Sequence, residues 1–504
     1  MFISKSRNKS GSTSVRVMEK HGRKNVVLRN FGASSDDAKI EELCRQAETF
    51  IQKQTGTLYN LFNPYPQPTI EDFISGLSNA QVSVIGPELV FGALYDSIGY
   101  NETGEDLFRH LVISRLFAQG SKLKTVDYLW RYQGISYDVN KVYRYLDKLC
   151  LRKAKDGVVG IKEAIERITF RHSKLSVGDT IDVVFYDITT LYFEASDEDD
   201  LRIAGFSKDG KFDCPQILLG LLITKEGNPI SYEIFEGNLS EKKTFIPLLQ
   251  RAAENFNLGK PIVVADAGLL SKKNVEELVK DGYEYILGAR LRNESNAMKE
   301  KIFALSLNDG DVKAIIRDDG TKVIVSRTEK RRKKDAYNRE KGLARLQKRV
   351  SSGKLGKKDI NNRGYNKYLQ LEGEITVSID MDAYEKDARW DGIKGYVTNT
   401  SLPETEVIAN YANLWYIERA FRMNKTDLRI RPIYHRLRNR IEAHICISFT
   451  AYVIQLEIER MIKVAESELS INRVRELTKN MYQIKYALPY QKAEKAAILN
   501  PTFR

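Results

Sequence analysis

Histidine, cysteine and long apolar runs are scarce in this 504-residue chain. The four cysteines, Cys44, Cys150, Cys214 and Cys446, lie too far apart to form a CxxC or Cys/His zinc motif. Their scatter also argues against a disulfide-stabilised secreted domain and favours a reducing cytosol. No stretch reaches the roughly 18 apolar residues of a membrane span, and the first residues lack the apolar segment of a signal peptide. We therefore expect a soluble, cytoplasmic protein with no membrane partner.

Cations are in excess, and they are unevenly distributed. Hydrophobic residues make up 42% of the chain, enough for several buried cores, while the formal charge is +13. The segment Glu329–Tyr368 alone holds fifteen Lys/Arg and four Asp/Glu, an excess of +11. A run of this kind often forms a solvated charged helix. Because its charge is one-sided, we favour contacts with the DNA backbone, with Arg331 and Arg332 among the contacting residues.

The first sixty residues predict a small hairpin followed by a helix. Ser12–Met18 and Asn25–Arg29 are partly alternating segments, as expected for two paired strands with Lys and Arg on the exposed face. A helix is predicted over Ser35–Lys53. Gly56 and the three prolines within Asn63–Pro68 predict a linker after it.

Three helices are predicted within the next segment, residues 61–178. They cover Gly104–Gly120, Lys124–Gly134 and Val139–Cys150. The third carries Lys141, Arg144 and Lys148. Two short helices and a cationic third helix resemble a helix-turn-helix DNA reader. An ordinary three-helix bundle with a solvated cationic face remains the alternative.

From Ile181 onwards the pattern changes to alternating strands and helices. The predicted order is β-β-β-α-β-α-β, which indicates a mixed sheet with helices on its faces. Asp187 and Asp266 are each placed at the carboxyl end of an apolar strand, where sites form in open α/β sheets. Either aspartate alone fits a turn equally well. Both together, in this strand order, predict a functional pair of carboxylates.

Clustered carboxylates repel one another and raise their own pKa values. A divalent cation removes that repulsion, and Mg²⁺ prefers a few carboxylates together with phosphate oxygens and water. Two such ions about 4 Å apart support in-line displacement at phosphorus without any histidine.

A third acid lies in the predicted helix Tyr411–Lys425. At helical spacing Tyr411, Trp415, Glu418, Arg422 and Lys425 share one stripe, which places a carboxylate between aromatic rings and cations. By itself the stripe fits an amphipathic helix with a Glu–Arg pair worth about 0.2–0.5 kcal/mol.

Taken with DITT, GFSKDGKF, VADAGLLS and YIERAFRMNK, the chain resembles the DDE transposases of bacterial insertion sequences. The similarity covers about Ile181–Ile454 and includes the branch signature Y-x2-R-x3-E-x6-K. It assigns Asp187, Asp266 and Glu418 as the catalytic, metal-binding acids. Tyr411 and Lys425 match the signature Tyr and Lys as DNA contacts. Leu414 stands where the signature has Arg, so Arg419 or Arg422 is expected to contact DNA instead.

This resemblance implies a ribonuclease-H-like mixed sheet with an inserted β-rich, basic segment, preceded by a mainly helical N-terminal region. It implies two Mg²⁺ ions, for which Mn²⁺ can substitute, and a homodimer on DNA. The enzyme would bind the terminal inverted repeats of its own element, cleave DNA and join 3′-hydroxyls to target DNA, with cut-and-paste transposition expected. Its place would be the bacterial cytoplasm, at the nucleoid when bound to DNA. The N-terminal hairpin and helix are predicted over 1–60, and the helical DNA-binding region over 61–178. The catalytic core is predicted to consist of 179–290 and 391–465, which the insertion 291–390 separates. A helical tail is predicted over 466–504.

Two other functions compete with an active transposase. One is a catalytically silent DNA-binding protein derived from such an enzyme. The other is a different two-carboxylate enzyme, such as a glycosidase, which needs only a pair of acids. The glycosidase hypothesis leaves the basic segment Glu329–Tyr368 unexplained.

Overall fold

A computed structural model describes residues 1–21, 24–55, 81–150, 160–194, 197–207, 210–268, 272–353, 355, 357–361, 364–372, 376–487 and 494–499. The linker predicted at Gly56 and Asn63–Pro68 lies outside these residues. The chain divides into two compact units. Unit 1 comprises Met1–Gly92, Gly120–Val139 and Glu468–Arg504, and unit 2 comprises Ala93–Gln119 and Asn140–Ser467. This division differs from the consecutive segments predicted from the sequence, because both ends of the chain contribute to unit 1.

The part of unit 1 that the structure describes forms two small antiparallel sheets. The first has the order β1-β2-β3 and carries a helix. Its elements are β1 (Phe2–Arg7), β2 (Thr13–His21), β3 (Lys24–Ser34) and α1 (Asp37–Thr55). Val15 and Val17 are fully buried against α1. The predicted hairpin is therefore present, and a strand before it makes a three-stranded sheet.

The second sheet of unit 1 joins distant parts of the sequence, in the order β16-β15-β4. Unit 1 here holds β4 (Val82–Val84), α4 (Lys122–Gln133), α15 (Ile471–Lys479), β15 (Tyr482–Ala487) and β16 (Glu494–Leu499). The helical tail predicted for 466–504 is wrong in this respect. Among the tail residues that the structure describes, α15 is the one helix, and β15 pairs with both β16 and β4.

The helices that precede the core match their predicted positions, but they are shared between the units. Unit 2 holds α2 (Ala93–Ile98), α3 (Asp106–Phe117), α5 (Val139–Leu149) and α6 (Ile161–Ser176). The middle helix of the predicted helix-turn-helix, α4, belongs to unit 1. Lys141, Arg144 and Lys148 lie on one exposed face of α5.

Eight strands form the main sheet of unit 2, in the order β10-β11-β14-β9-β8-β5-β6-β7. They are β5 (Val183–Tyr192), β6 (Gln216–Thr224), β7 (Pro229–Glu236), β8 (Ile262–Ala265), β9 (Tyr285–Gly288), β10 (Val312–Ile316), β11 (Lys322–Arg327) and β14 (Ile393–Thr398). β5, β6 and β7 are antiparallel, whereas β5, β8 and β9 are parallel. Three antiparallel strands followed by two parallel ones make the ribonuclease-H-like sheet, which confirms the predicted fold class.

Helices cover both faces of this sheet. On one face α7 (Phe245–Phe256) and α8 (Lys272–Lys280) pack on Val184, Tyr186 and Leu222. On the other face α13 (Trp415–Arg422) and α14 (Arg438–Val464) meet β6 around a small cavity lined by Leu219, Leu221, Phe421 and Phe449. Among the described residues, α14 alone is long and apolar enough to span a membrane. However, 83% of its apolar window is buried, as in a core helix.

The insertion between β9 and β14 contributes to the main sheet and also has a core of its own. The predicted hairpin, β10 and β11, turns at Asp319–Gly320 and extends the edge of the sheet. The other elements are α9 (Asn296–Ala304), the basic α10 (Glu329–Ser351), β12 (Leu369–Glu372), β13 (Thr376–Ile379) and α11 (Met381–Ala388). Leu346, Tyr368 and Val377 are buried together there. β14 then rejoins the sheet between β11 and β9, as predicted.

Candidate active site

Asp187 and Asp266 lie at neighbouring positions of two parallel strands. Tyr186 of β5 pairs with Ala265 of β8, and the next residue on each side is an aspartate. Neighbouring strands lie about 4.8 Å apart, so the two side chains start from adjacent backbone positions. Asp266 directly follows β8, as predicted.

The predicted strand-end position of Asp187 is wrong. Asp187 is the fifth of the ten residues of β5, and the strand continues through Tyr192. The continuation is built from Ile188, Thr190 and Leu191, which are all buried, and it pairs with β6 to its end. Asp187 lies opposite Leu221, on the face of the sheet that α13 covers.

Glu418 reaches the site from α13, which packs on β5. Its side chain is exposed, as is that of Asp266. Asp187 therefore lies on β5, Asp266 directly follows the parallel strand β8, and Glu418 lies on the helix that packs on β5. Within the described ranges, however, no group of three or more His, Cys, Asp or Glu side chains is close enough to hold a metal ion.

The single helix predicted for Tyr411–Lys425 is wrong. The stretch consists of α12 (Glu404–Ala412), a tight turn at Asn413–Leu414, α13 and a π-helical turn over Met423–Asp427. Because the turn separates two helices, the residues before and after it no longer share one helical stripe. Tyr411 is only 8% exposed, whereas Trp415, Glu418 and Arg422 are exposed and Lys425 is half-buried.

The hydroxyl of Tyr411 donates a hydrogen bond to Oδ1 of Asp266 over 3.1 Å. The backbone N–H of Ala267 donates to the same oxygen over 2.8 Å. Oδ1 accepts both hydrogen bonds and Oδ2 accepts neither of them. The two bonds therefore fix the orientation of the Asp266 carboxylate. Burial, followed by the charge of Asp266 and its hydrogen bond, raises the pKa of Tyr411, and Glu418 adds to this shift. Tyr411 thus remains a neutral donor beside two of the acids.

Gly288, the last residue of β9, makes this contact possible. A Cβ atom there would lie 2.6 Å from the Tyr411 hydroxyl oxygen and 3.3 Å from Oδ1 of Asp266. Any larger residue would displace the tyrosine or the aspartate.

Lys394, on β14, is a site residue that the sequence did not indicate. Its Nζ lies 4.6 Å from the ring centre of Tyr411 and 5.2 Å from that of Tyr396. The two tyrosine rings meet edge to face at 5.0 Å. Burial, and secondarily the charge of Arg331, lower the pKa of Lys394, while Asp266 opposes this shift. Only the pairing of β14 with β9 brings Lys394 to the site, and no local sequence signal marks such a residue.

Arg290 is a second missed residue. It follows β9, and its Nη2 lies beside Gly268, as does Oδ2 of Asp266. Two cations, Lys394 and Arg290, therefore lie near Asp266.

The predicted DNA-contacting arginines differ in their surroundings. Arg419 forms an ion pair with Glu459 of α14, whereas Arg422 is exposed. In α10, Nε and Nη2 of Arg332 both donate hydrogen bonds to the carboxylate of Glu329, and Nε of Arg331 lies 3.5 Å from Oδ2 of Asp335. One side of α10 carries a stripe of five exposed cations, Lys330, Lys334, Lys341, Arg345 and Lys348.

A ribonuclease-H-like sheet with aspartates on its first and fourth strands and a glutamate on a following helix is the architecture of the DDE class of nucleic-acid enzymes. The sequence profile of the transposase DDE domain matches residues 180–454, more than half of the chain. The chain belongs to the DDE transposase family.

Similar solved structures include a piggyBac transposase synaptic complex with hairpin DNA. It is 9% identical with a TM-score of 0.37, over 79% of this chain and 76% of that one. A Mos1 transposase paired-end complex with the left transposon end is 13% identical with a TM-score of 0.16, over 48% and 66% of the two chains. A Mos1 mariner paired-end complex with Mn is 12% identical with a TM-score of 0.15, over 49% and 67%. A search of the curated proteins returned no significant match.

Proposed function

We propose that this protein is an active transposase of a bacterial insertion sequence, with Asp187, Asp266 and Glu418 as its catalytic acids. The observation that carries the proposal is the adjacent register of Asp187 and Asp266 on parallel strands, with the Glu418 helix packed on the first of them. In a family of DNA-transposing enzymes, acids arranged in this way would serve phosphoryl transfer at the DNA backbone.

The acids would hold divalent metal, with Mg²⁺ as the physiological ion and Mn²⁺ as a substitute. Three carboxylates supply the hard oxygen donors that Mg²⁺ prefers, so the donor set fits the ion in kind. When bound, two such ions activate the attacking oxygen and stabilise the leaving oxygen of an in-line displacement.

The protein's own residues prepare the site for this chemistry. Tyr411 and the Ala267 N–H orient Asp266, and Lys394 lies over the Tyr411 ring. We assign Tyr411 first to this positioning of Asp266. Lys425, Arg422 and the exposed cations of α10 are assigned to phosphates of the DNA strand, because Lys and Arg neutralise backbone charge. Arg419 is less suited to this role, since Glu459 already pairs with it.

The substrates would be the terminal inverted repeats of the element and a target DNA. We propose cut-and-paste transposition by a homodimer that holds both ends, in the bacterial cytoplasm at the nucleoid. Each end would be cleaved, and each 3′-hydroxyl would then attack a target phosphodiester.

A cleavage assay on DNA carrying the inverted repeats that flank the gene tests the proposal. Asp187→Asn, Asp266→Asn and Glu418→Gln should each abolish cleavage while leaving binding of the ends within a few-fold. Glu226→Gln, at the exposed β6–β7 turn, is the matched control and should cleave like the parent. Full cleavage by any of the three site variants would overturn the assignment.

The competing function is that of a catalytically silent DNA-binding protein of the same descent. Two observations favour it: the signature arginine is replaced by Leu414, and the described acids do not form a closed metal-holding group. Binding of the inverted repeats by the parent protein, with no cleavage in Mg²⁺ or Mn²⁺, would support this function instead.

A further inference from the structure

The N-terminal sheet of unit 1 has one covered face and one open face. Val15 and Val17 of β2 point to α1 and are fully buried. Alternate residues of a strand point to opposite faces, so Arg16, Met18 and Lys20 point away from α1. Phe2 and Val27, which share the outer face with Met18, are 41% and 46% exposed.

The strand register arranges the outer face in three rows across the sheet. In the first row Arg16 lies between Ser4 and Asn30. In the second, Met18 lies between Phe2 and Val27. In the third, Lys20 lies opposite Asn25. A cation is thus paired with an asparagine at each end of the face, with an apolar row between them.

The charge of this part of the chain is strongly one-sided. Residues 1–34 contain eight Lys or Arg and a single acid, Glu19. Glu19 is the neighbour of Met18 and Lys20 on β2, so it points to the α1 side of the sheet rather than to the outer face. Among the described residues of β1, β2 and β3, the outer face therefore carries cationic, amide, hydroxyl and apolar groups and no acid, which complements a polyanion.

These groups are the ones that read base pairs. Arg donates in bidentate fashion to guanine, Asn pairs with adenine, and apolar side chains contact the thymine methyl group. Oδ1 of Asn30 accepts the N–H of Gly32 over 3.2 Å, which holds the side chain and leaves its Nδ2 to donate. The register shifts beside Arg16 and Met18 are bulges, and bulges bend a sheet and increase its twist. Sheets of this kind can read DNA from within a groove.

We propose that the outer face of the β1–β3 sheet is the surface that recognises the sequence of the terminal duplex. Arg16 and Asn30 read base edges, and Lys20 contacts the backbone. The inference rests on the proposed function, because it takes double-stranded DNA as the ligand. It places sequence recognition on this sheet instead of on the helices α3, α4 and α5.

Selection from a library of random 30-base-pair duplexes tests the proposal with the full-length protein. The parent should enrich a defined motif. Arg16→Ala and Asn30→Ala should each lose discrimination at one or two positions of that motif by about 5- to 100-fold. Lys20→Ala should weaken binding to all sequences alike and reduce the salt dependence by about one unit of slope.

Controls come from the same module and separate recognition from folding. Lys39→Ala and Gln46→Ala, on the exposed side of α1, should leave the motif unchanged. Arg16→Lys retains the charge but not the bidentate fork, so it should lose base preference while keeping affinity for unrelated duplex. Loss of preference in Arg16→Lys with an unchanged melting temperature would therefore support a base contact.

The outcomes distinguish this inference from the proposed function. If the parent selects a motif that Arg16→Ala and Asn30→Ala select equally well, the sheet does not read the sequence, although the enzyme assignment stands. If the parent binds no duplex even at low salt, the proposed function fails and this inference fails with it. If Asp266→Asn still cleaves while the Arg16 variants lose their preference, only the catalytic assignment is wrong.

Discussion

At the residue scale, the neighbours of Asp266 fix the orientation of its carboxylate. One of its oxygens accepts two hydrogen bonds, from Ala267 and Tyr411. Tyr411 is in turn enclosed by Tyr396, Lys394 and the bare backbone of Gly288. Groups that hold a metal ligand are commonly worth 10- to 100-fold in metal affinity or activity.

Tyr411→Phe removes the hydrogen bond from Tyr411 to Asp266 and keeps the aromatic ring. Removing the hydroxyl should lower the cleavage rate by about 10-fold or more and raise the Mg²⁺ concentration for half-maximal rate, because Asp266 loses one orienting bond. A Mg²⁺ titration of cleavage, together with Mn²⁺ binding followed by electron paramagnetic resonance, measures both effects. Tyr452→Phe is the control, since it removes a buried hydroxyl that bonds the Gly227 carbonyl in unit 2. Equal metal dependence in both variants would refute the positioning role.

Gly288→Ala makes the complementary steric test. The added methyl group would lie 2.6 Å from the Tyr411 hydroxyl oxygen, so the Tyr411–Asp266 bond cannot keep its geometry. We expect a loss of cleavage at least as large as that of Tyr411→Phe. In the Tyr411→Phe background the added Ala should cost less, which a double-mutant cycle of cleavage rates would detect. If the effects of Gly288→Ala and Tyr411→Phe on the free energy of activation for cleavage were strictly additive, the proposed steric clash would be contradicted.

At the scale of elements, the half-buried carboxylate of Glu457 joins α14 to α6. Glu457 of α14 accepts hydrogen bonds from Arg460 over 2.6 and 2.9 Å and lies 3.4 Å from Nε2 of His172 on α6. Burial opposes ionisation of Glu457, but the bonds from Arg460 and His172 outweigh it and lower its pKa from 4.5 to about 2.

The stability of unit 2 should therefore depend on pH through Glu457. Because the folded pKa lies below the unfolded value, the stabilisation is complete above about pH 4.5 and is lost as the pH falls towards 2. Its upper limit is about 3 kcal/mol. Urea unfolding of the parent and of Glu457→Gln should differ most above pH 5 and converge at lower pH. A difference that stays constant with pH, or one equal to that of the exposed control Glu254→Gln, would contradict this.

The basic helix α10 is the element with the clearest electrostatic consequence. Replacing Lys334, Lys341 and Arg345 together by Ala should reduce the salt dependence of DNA binding by about 2.7 units of slope, at about 0.9 for each phosphate contact. Fluorescence anisotropy at several salt concentrations measures the slope. Lys280, Lys301 and Lys463, exposed elsewhere in unit 2, make the matched triple control. Equal slopes for the two triple variants would show that α10 does not lie on DNA.

At the scale of the whole molecule, DNA binding and cleavage should be separable. The proposed DNA contacts of the cationic surfaces need no metal, whereas the proposed chemistry of the three acids depends on it. Chelation by EDTA should therefore leave end binding intact and abolish cleavage, and Mg²⁺ or Mn²⁺ should restore it. Light scattering of the complex with paired ends should give two chains of 57.7 kDa each. Cleavage that persists in EDTA would exclude the metal-dependent mechanism, and a single chain per complex would exclude the dimer.

Local pattern predicted much of the core of this molecule. The β-β-β-α-β-α-β order, the hairpin at Asp319–Gly320 and the return of Gly395–Asn399 to the sheet are all confirmed. These features depend on apolar periodicity and turn chemistry, which are properties of short segments. The helical prediction for the tail was wrong because β15 is held by pairing with β16 and also with β4, which lies almost four hundred residues earlier in the chain.

The sequence by itself determined which acids, aromatic residues and cations are available, and in which order their strands and helices follow. Only the tertiary structure decided which of them meet. The turn at Asn413–Leu414 directs Tyr411 to Asp266 and leaves Glu418 exposed, and the pairing of β14 with β9 brings Lys394 to the same place. Such contacts join residues more than a hundred positions apart, where burial and strand pairing act together and no local periodicity records the outcome.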